Sequence, residues 1–210
     1  MKRVFVFILI ILLAGGGYFF LKNKNKAPKE ILTKQYNNSS LGISFTYSKT
    51  LTASTTSEKV TLHHDIPYAN TGACDMMGDN KTYDRLTDFE MTVQIVNKNL
   101  TGTVKSLSPY IPQENFVNDE LVASPGFIDP YTIGALSGFA IYEGVEGCGQ
   151  TTYYFPVASD QTLVVTNASI QALSGARLPE KVAEVLIVPG AISREKNQQI
   201  FESVMKSLKI

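Results

Sequence analysis

Residues 88–97 read Asp-Phe-Glu-Met-Thr-Val-Gln-Ile-Val-Asn, the cleanest alternation of apolar and polar side chains in the chain. Four apolar side chains fall on one side of an extended backbone, and mostly polar ones fall on the other. They are Phe89, Met91, Val93 and Ile95. This period of two predicts a β-strand with one buried face. We therefore expect a central strand of a sheet whose opposite face meets solvent.

Similar patterns on both sides of this segment predict further strands. Residues 41–47 and 59–64 precede it. Residues 138–145, 151–157 and 161–167 follow it, separated by connectors of turn length. Closely spaced strands with such short connectors predict an antiparallel meander.

Polar or proline-containing segments separate the other strands. We expect a turn over residues 50–57, a long loop over residues 67–83, and one or two short helices within residues 103–124, for example over 115–122.

The C-terminal region predicts two helices. One covers residues 179–188 and starts with Pro179, a residue favoured in the first helical turn. The other starts at Ser193, and its apolar positions follow the 3.6-residue period. Strands, a meander and terminal helices without a βαβ repeat predict an α+β fold, an antiparallel β-sheet covered by helices.

The N-terminus differs sharply from the rest of the chain. The formal charge of the whole chain is zero, but the first 26 residues carry five basic and no acidic side chains. Residues 27–210 therefore hold 14 basic and 19 acidic side chains, a net charge of −5. Residues 4–21 contain no charge. As a helix they would span about 27 Å, close to the thickness of about 30 Å of the bilayer hydrocarbon. We predict a signal anchor or transmembrane helix in residues 1–22, a polar linker in 23–38 and a single globular domain in 39–210.

Three alternatives concern how the N-terminal segment is used. The Lys2-Arg3 pair before a hydrophobic core is typical of an uncleaved anchor with a cytoplasmic N-terminus, which we adopt. Ala14 and Gly16 also fit a cleavable signal peptide. An anchor of the opposite orientation is favoured slightly by the lysines that follow the segment. A lipoprotein is excluded because glycine stands where the acylated cysteine is required.

The two cysteines, Cys74 and Cys148, lie in turn-like surroundings. With an export signal and an even count, they indicate a disulfide and an extracytoplasmic domain. Closing a loop of about 75 residues would stabilise the fold by about 4 kcal/mol on the chain-entropy estimate. The alternatives are two free thiols, or a catalytic thiol at Cys148 with His63 or His64 as its base.

The remaining candidate sites rest on histidines and carboxylates. Adjacent residues on a strand face opposite ways, so His63 and His64 are not expected to bind the same ion. The other groupings are a cation site (His64, Asp65, Asp75, Asp79), calcium-type oxygen ligands (Asp75, Asp79, Asn80, Asp84) and a carboxylate pair (Glu143, Glu146). We interpret the histidines as one exposed and one partly buried imidazole and the acidic loop as solvated, since any two acidic residues could be proposed as a pair. We assign no catalytic, cofactor-binding or metal-binding residue.

Several functions are excluded by what the sequence lacks. The acidic globular part has no basic face for nucleic acid. Ser137 stands one place late for a nucleophile elbow, and neither a P-loop nor a dinucleotide-binding glycine pattern occurs.

Three features resemble the small membrane-anchored bacterial proteins with a PsbP-like fold. They are the strand at residues 42–47 followed by Lys49, the Phe155-Pro156 pair before the Val-rich residues 160–165, and the closing helix at 200–208. The similarity extends over about residues 36–210. Those proteins usually have Tyr-Pro where this chain has Tyr47-Ser48, and residues 171–191 have no counterpart in them. The resemblance implies an α/β/α sandwich and an accessory, mostly non-enzymatic role.

The expected function is therefore that of a non-catalytic module. It would be anchored in the cell membrane by a single pass and would serve another envelope protein or a small ligand on the outer side. The alternatives are an extracytoplasmic hydrolase or metal-dependent enzyme that uses His64 or an acid pair, and a structural subunit of a surface assembly.

Overall fold

Antiparallel strands and a few helices make up an α+β fold in the computed structural model, which describes residues 33–72, 74 and 81–210. The strands are β1 (Thr33–Asn38), β2 (Ile43–Ser48), β3 (Thr52–Thr55), β4 (Lys59–Ile66), β5 (Leu86–Val96), β6 (Phe116–Val117), β7 (Glu120–Leu121), β8 (Ile128–Ile133), β9 (Leu136–Glu143), β10 (Gln150–Ala158) and β11 (Gln161–Ala168). The helices are α1 (Leu100–Leu107), α2 (Pro179–Leu186) and α3 (Arg194–Ser207). None of the described helices is long and apolar enough to cross a bilayer, and the predicted membrane segment at residues 4–21 lies outside the described part.

The main sheet has seven strands in the order β3-β4-β5-β11-β10-β9-β8. All neighbours are antiparallel, and Val93 of β5 pairs with Val60 on one side and Val165 on the other. The predicted central position of β5 is confirmed. The meander is confirmed as well, because Tyr153 of β10 pairs with Ala140 of β9 and with Val165 of β11.

One face of the sheet carries the main core. The alternating apolar residues Phe89, Met91 and Val93 are fully buried there, as the period of two predicts. Helix α3 covers this face with residues that include Phe201 and Val204. Its start is confirmed, because the Ser193 side chain caps the helix by accepting a hydrogen bond from the Lys196 N–H.

The opposite face is covered in part by α1. Val104 packs there with Ile141, Tyr154 and Val164 of the meander strands. On β5 itself Glu90 is exposed, so the expected solvent-facing side holds only for part of the sheet.

The predicted helix at residues 115–122 is wrong. This segment forms a short 3-10 turn followed by the β6–β7 hairpin, and its two turn residues, Asn118 and Asp119, have φ angles of 50° and 62°. Positive φ at both central positions is typical of a tight hairpin turn. The helix lies earlier, where the Asn99 side chain caps α1 by accepting from the Gly102 N–H.

Besides β6 and β7, three strands were not predicted from the sequence. β1 lies in the predicted linker, which is therefore too long at its C-terminal end, and it pairs with β2. β3 lies in the predicted turn at residues 50–57 and pairs with β4, and β8 forms the other edge of the main sheet. Edge strands are held by backbone hydrogen bonds along one side, so they need few apolar side chains and tolerate proline, such as Pro130.

Candidate functional site

A cavity of about 900 Å³ lies at one end of the main sheet, on the face that α3 covers. Its floor is formed by the start of β5, the start of β10 and the end of β11. Its walls are residues 168–176 and the first turn of α3. Neighbouring antiparallel strands bring the start of one to the end of the next, which is why residues far apart in sequence meet here.

Asp88 is the buried carboxylate of this site. A β-bulge between His64 and Asp65 interrupts the pairing of β4 with β5 next to Asp88, which has no exposed surface. Its Oδ1 lies 2.6 Å from Nδ1 of His64, and its Oδ2 accepts a hydrogen bond of 2.7 Å from the backbone N–H of Ile192. Both oxygens are therefore engaged, one with β4 and the other with the segment that leads into α3.

Tyr153 contributes a rigid aromatic wall. Its side chain is 7% exposed, and its ring centroid lies 4.7 Å from those of Tyr131 and Phe201. Burial raises the pKa of Tyr153 to about 12, with smaller contributions from Tyr131 and Glu202. A tyrosine is already neutral at physiological pH, and burial disfavours the phenolate of Tyr153 further.

Asn167 carries an unused acceptor. Its Nδ2 donates to Oδ1 of Asn197 at 3.2 Å. Its own Oδ1 is enclosed, and within the described residues it is the one buried side-chain polar atom that lacks a hydrogen-bond partner. Leaving such an acceptor unpaired costs about 1 to 3 kcal/mol, so a ligand or water that supplied a donor would be favoured.

Two opposite charges stand next to each other at the cavity. Arg194 and Glu195 open α3 and both line the space. Hydrogen bonds from its own backbone N–H and from the Ser193 side chain lower the pKa of Glu195, and Arg194 adds to the effect. Glu195 is thus held as a carboxylate, and the cavity carries one side chain of each charge sign at the start of α3.

The disulfide between Cys74 and Cys148 braces the wall opposite α3, which confirms the predicted pairing. Gly147, beside the buried Cys148, has a φ of 80° and lines the cavity. A Cβ at this position would collide with the Ser174 side chain, so only glycine lets the loop approach so closely. The bridge excludes the catalytic-thiol alternative, since Cys148 is not a free thiol.

The two histidines do not share an ion-binding site. Nε2 of His63 lies 3.7 Å from Oδ2 of Asp65, whereas His64 contacts Asp88. Asp65 also accepts a hydrogen bond of 2.6 Å from Oγ1 of Thr87. Within the described ranges, no group of three or more His, Cys, Asp or Glu side chains is placed to hold a metal ion.

The remaining candidates are not gathered either. Asp75, Asp79 and Asn80 lie outside the described residues, and Asp84 is exposed. Glu143 accepts a hydrogen bond of 3.0 Å from Nε2 of Gln150, and Glu146 is exposed in the neighbouring turn.

Sequence reasoning did not identify Asp88 or Asn167 as site residues. The only signal for Asp88 was a carboxylate directly before the most regular apolar alternation. Asn167 at the end of a strand gave no signal at all.

Comparison with known proteins gives little to place beside this site. No protein-family model matches the chain, and neither does any curated protein. A crystal structure at 1.50 Å resolution of a protein from Bacteroides thetaiotaomicron VPI-5482 is similar, with 8% sequence identity and a TM-score of 0.42. The match covers 84% of this chain and 47% of that one, so this chain spans about half the length of its structural neighbour.

Proposed function

We propose that this chain is a non-catalytic binding module at the outer face of a cell membrane, with a PsbP-like fold and with the cavity at the end of the sheet as its binding site. The observation that carries the proposal is the state of the cavity's ionisable groups. Asp88 has both oxygens occupied, Tyr153 stays neutral, and the two exposed charges, Arg194 and Glu195, are of opposite sign. Because the buried carboxylate is already engaged, the arrangement suits the recognition of a ligand better than proton transfer to one.

The location is supported by two independent features. Residues 4–21 are uncharged and long enough for a single membrane pass. The disulfide is typical of proteins in oxidising compartments, outside the cytosol.

A hydrolase is the second candidate, because of one observation. A buried carboxylate on Nδ1 of a histidine is the arrangement that orients the imidazole of catalytic triads. Here, however, the same carboxylate also binds the Ile192 N–H, so a structural role explains the pair without any chemistry.

Location is tested by protease accessibility in spheroplasts. External protease should digest the domain of the full-length protein, and a variant with Ile10→Lys and Leu12→Lys should leave the membrane fraction. Complete protection of the domain in intact spheroplasts would contradict the proposal.

Binding is tested by a photocrosslinking amino acid placed in living cells. At Ser169, which lines the cavity, it should give a discrete adduct. At Asp160, an exposed turn residue, it should give none. Equal labelling at both positions, or none at Ser169, would contradict a binding site in this cavity.

A further inference from the structure

We infer that the cavity takes an uncharged saccharide, a ligand that presents hydroxyl and amide groups. This inference rests on the proposed binding function and specifies the ligand class of the same site.

The charges of the cavity do not select a charged ligand. The Asp88 carboxylate is fully covered by the protein and saturated by His64 and Ile192. The exposed charges, Arg194 and Glu195, are one of each sign and adjacent. An anion would be attracted by Arg194 and repelled by Glu195, and a cation would be repelled by Arg194 and attracted by Glu195. Neither kind of ligand therefore gains much binding free energy from its charge.

What the lining offers instead is a set of neutral hydrogen-bonding groups. Amides come from β11 and the first turns of α3, and hydroxyls come from β10 and from the 168–176 wall. The set includes Thr151, Asn167, Ser169, Ser174, Asn197 and Gln198. Amides and hydroxyls both donate and accept, which is the pattern that pairs with the hydroxyl groups of a sugar.

The unpaired Oδ1 of Asn167 adds a specific demand. It requires a donor that the protein itself does not supply within the described residues. Because this oxygen is enclosed, a ligand hydroxyl or acetamide N–H reaches it only when the side chain rotates about its soft terminal torsion. A carboxylate-only ligand has no such donor.

An aromatic side chain completes the match. Tyr142 is 42% exposed and lines the cavity, and its hydroxyl donates to the Cys148 carbonyl oxygen at 3.5 Å. The exposed ring is available at the wall to pack against the C–H face of a sugar ring while amides bind the hydroxyls. A volume of about 900 Å³ lies within the range of ordinary small-ligand sites and leaves room for more than one sugar ring.

The inference is tested by calorimetry on the full-length protein in a detergent without a sugar headgroup. The probes are the trisaccharide of N-acetylglucosamine, which is neutral and carries acetamides, and trigalacturonate, which is of similar size but anionic. We expect the neutral trisaccharide to bind at least tenfold more tightly than trigalacturonate, because the carboxylates of trigalacturonate would lose hydration without meeting a net positive charge and because it has no acetamide N–H.

Two variants place the binding in this cavity. Asn167→Leu removes the unpaired acceptor at similar volume and should weaken binding about tenfold or more, whereas the matched control Asn97→Leu, on an exposed residue beyond β5, should not. If Asn167→Leu does not fold, Thr151→Val serves the same purpose, because it deletes one lining hydroxyl without changing shape.

The inference is overturned if trigalacturonate binds as tightly as the neutral probe, if neither probe binds, or if the cavity variants bind as well as the control. Its failure is distinct from failure of the proposed function. When no saccharide binds but the crosslinker at Ser169 still captures an adduct, the ligand class is wrong and the binding module stands. When both experiments are negative, both proposals fall.

Discussion

Replacing Asp88 by alanine should cost the fold more than any other exchange of a carboxylate in the described part of the chain. The side chain is completely buried, and it joins β4 to the segment before α3 through His64 and the Ile192 N–H. The bond to Ile192 connects residues 104 positions apart. Alanine removes the acceptor from both partners and leaves a backbone N–H without one in a buried position.

The expected size follows from the two contacts. A hydrogen bond to a carboxylate contributes about 1.5 to 3 kcal/mol, and the Asp88 side chain makes two of them. We therefore expect Asp88→Ala to lower the free energy of unfolding by about 3 to 5 kcal/mol. Asp88→Asn keeps the shape and one acceptor, so it should cost about 1 to 3 kcal/mol.

Urea unfolding followed by far-UV circular dichroism is the suitable assay, since the chain has no tryptophan for fluorescence. Asp160→Ala, at an exposed turn, is the control and should stay within about 0.5 kcal/mol of the wild type. A loss below about 1 kcal/mol for Asp88→Ala would refute the reasoning, because it would mean that neither hydrogen bond matters to the folded state.

Three further outcomes are expected. Reducing the disulfide between Cys74 and Cys148 should remove about 4 kcal/mol of stability on the chain-entropy estimate. With the usual scaling with domain size, this lowers Tm by about 8 to 16 °C. A thermal scan with and without reductant measures the change, and an unchanged Tm would contradict the prediction. Burial raises the pKa of Tyr154 to about 12 from 10.0. The stability that this neutral phenol contributes is therefore complete below pH 10 and is lost as the pH rises toward 12. An alkaline titration of the free energy of unfolding should show a smaller loss for Tyr154→Phe than for the wild type. Phe201→Ala should cost about 3 to 5 kcal/mol in urea, because this fully buried ring packs on Tyr153 at 4.7 Å, and a loss near zero would place α3 elsewhere.

The central strands and the C-terminal helices were predictable because a buried face requires apolar residues at the period of the strand or helix. In β5 the residues Phe89, Met91 and Val93 belong to the main core, so the apolar alternation and the observed burial coincide. In α3 the pairs Ile200/Val204 and Phe201/Met205 are each four residues apart, and all four side chains are buried.

The edge strands and the β6–β7 hairpin were not predictable for the same reason. β1 and β3 expose most of their side chains, so their sequences resemble those of turns and linkers. Their strand conformation comes from backbone pairing with β2 and β4, which leaves no mark on the residue types.

The candidate site was predictable only in its disulfide. The even number of cysteines and the export signal predict a disulfide. Asp88 and Asn167, by contrast, are single polar residues near strand ends, and such residues occur in most sheets. They become site residues because the strand register brings the ends of β5, β10 and β11 together at one end of the sheet, and because a bulge lies between His64 and Asp65. Register depends on long-range pairing, which a local pattern does not contain.

The cavity and the stability of the fold depend on the same two long-range links. The hydrogen bond from Ile192 to Asp88 sets where α3 begins, and the bond between Cys74 and Cys148 sets where Gly147 meets Ser174. The hydrogen bond thus positions the α3 wall of the cavity, and the disulfide positions the wall opposite α3. Cleaving either should therefore reduce ligand affinity before the domain unfolds, because a wall that moves by about 1 Å misplaces its hydrogen-bonding groups. Asp88→Asn and mild reduction should both weaken binding under conditions in which circular dichroism still reports a folded sheet, and full affinity in both cases would show that the walls are held by packing alone.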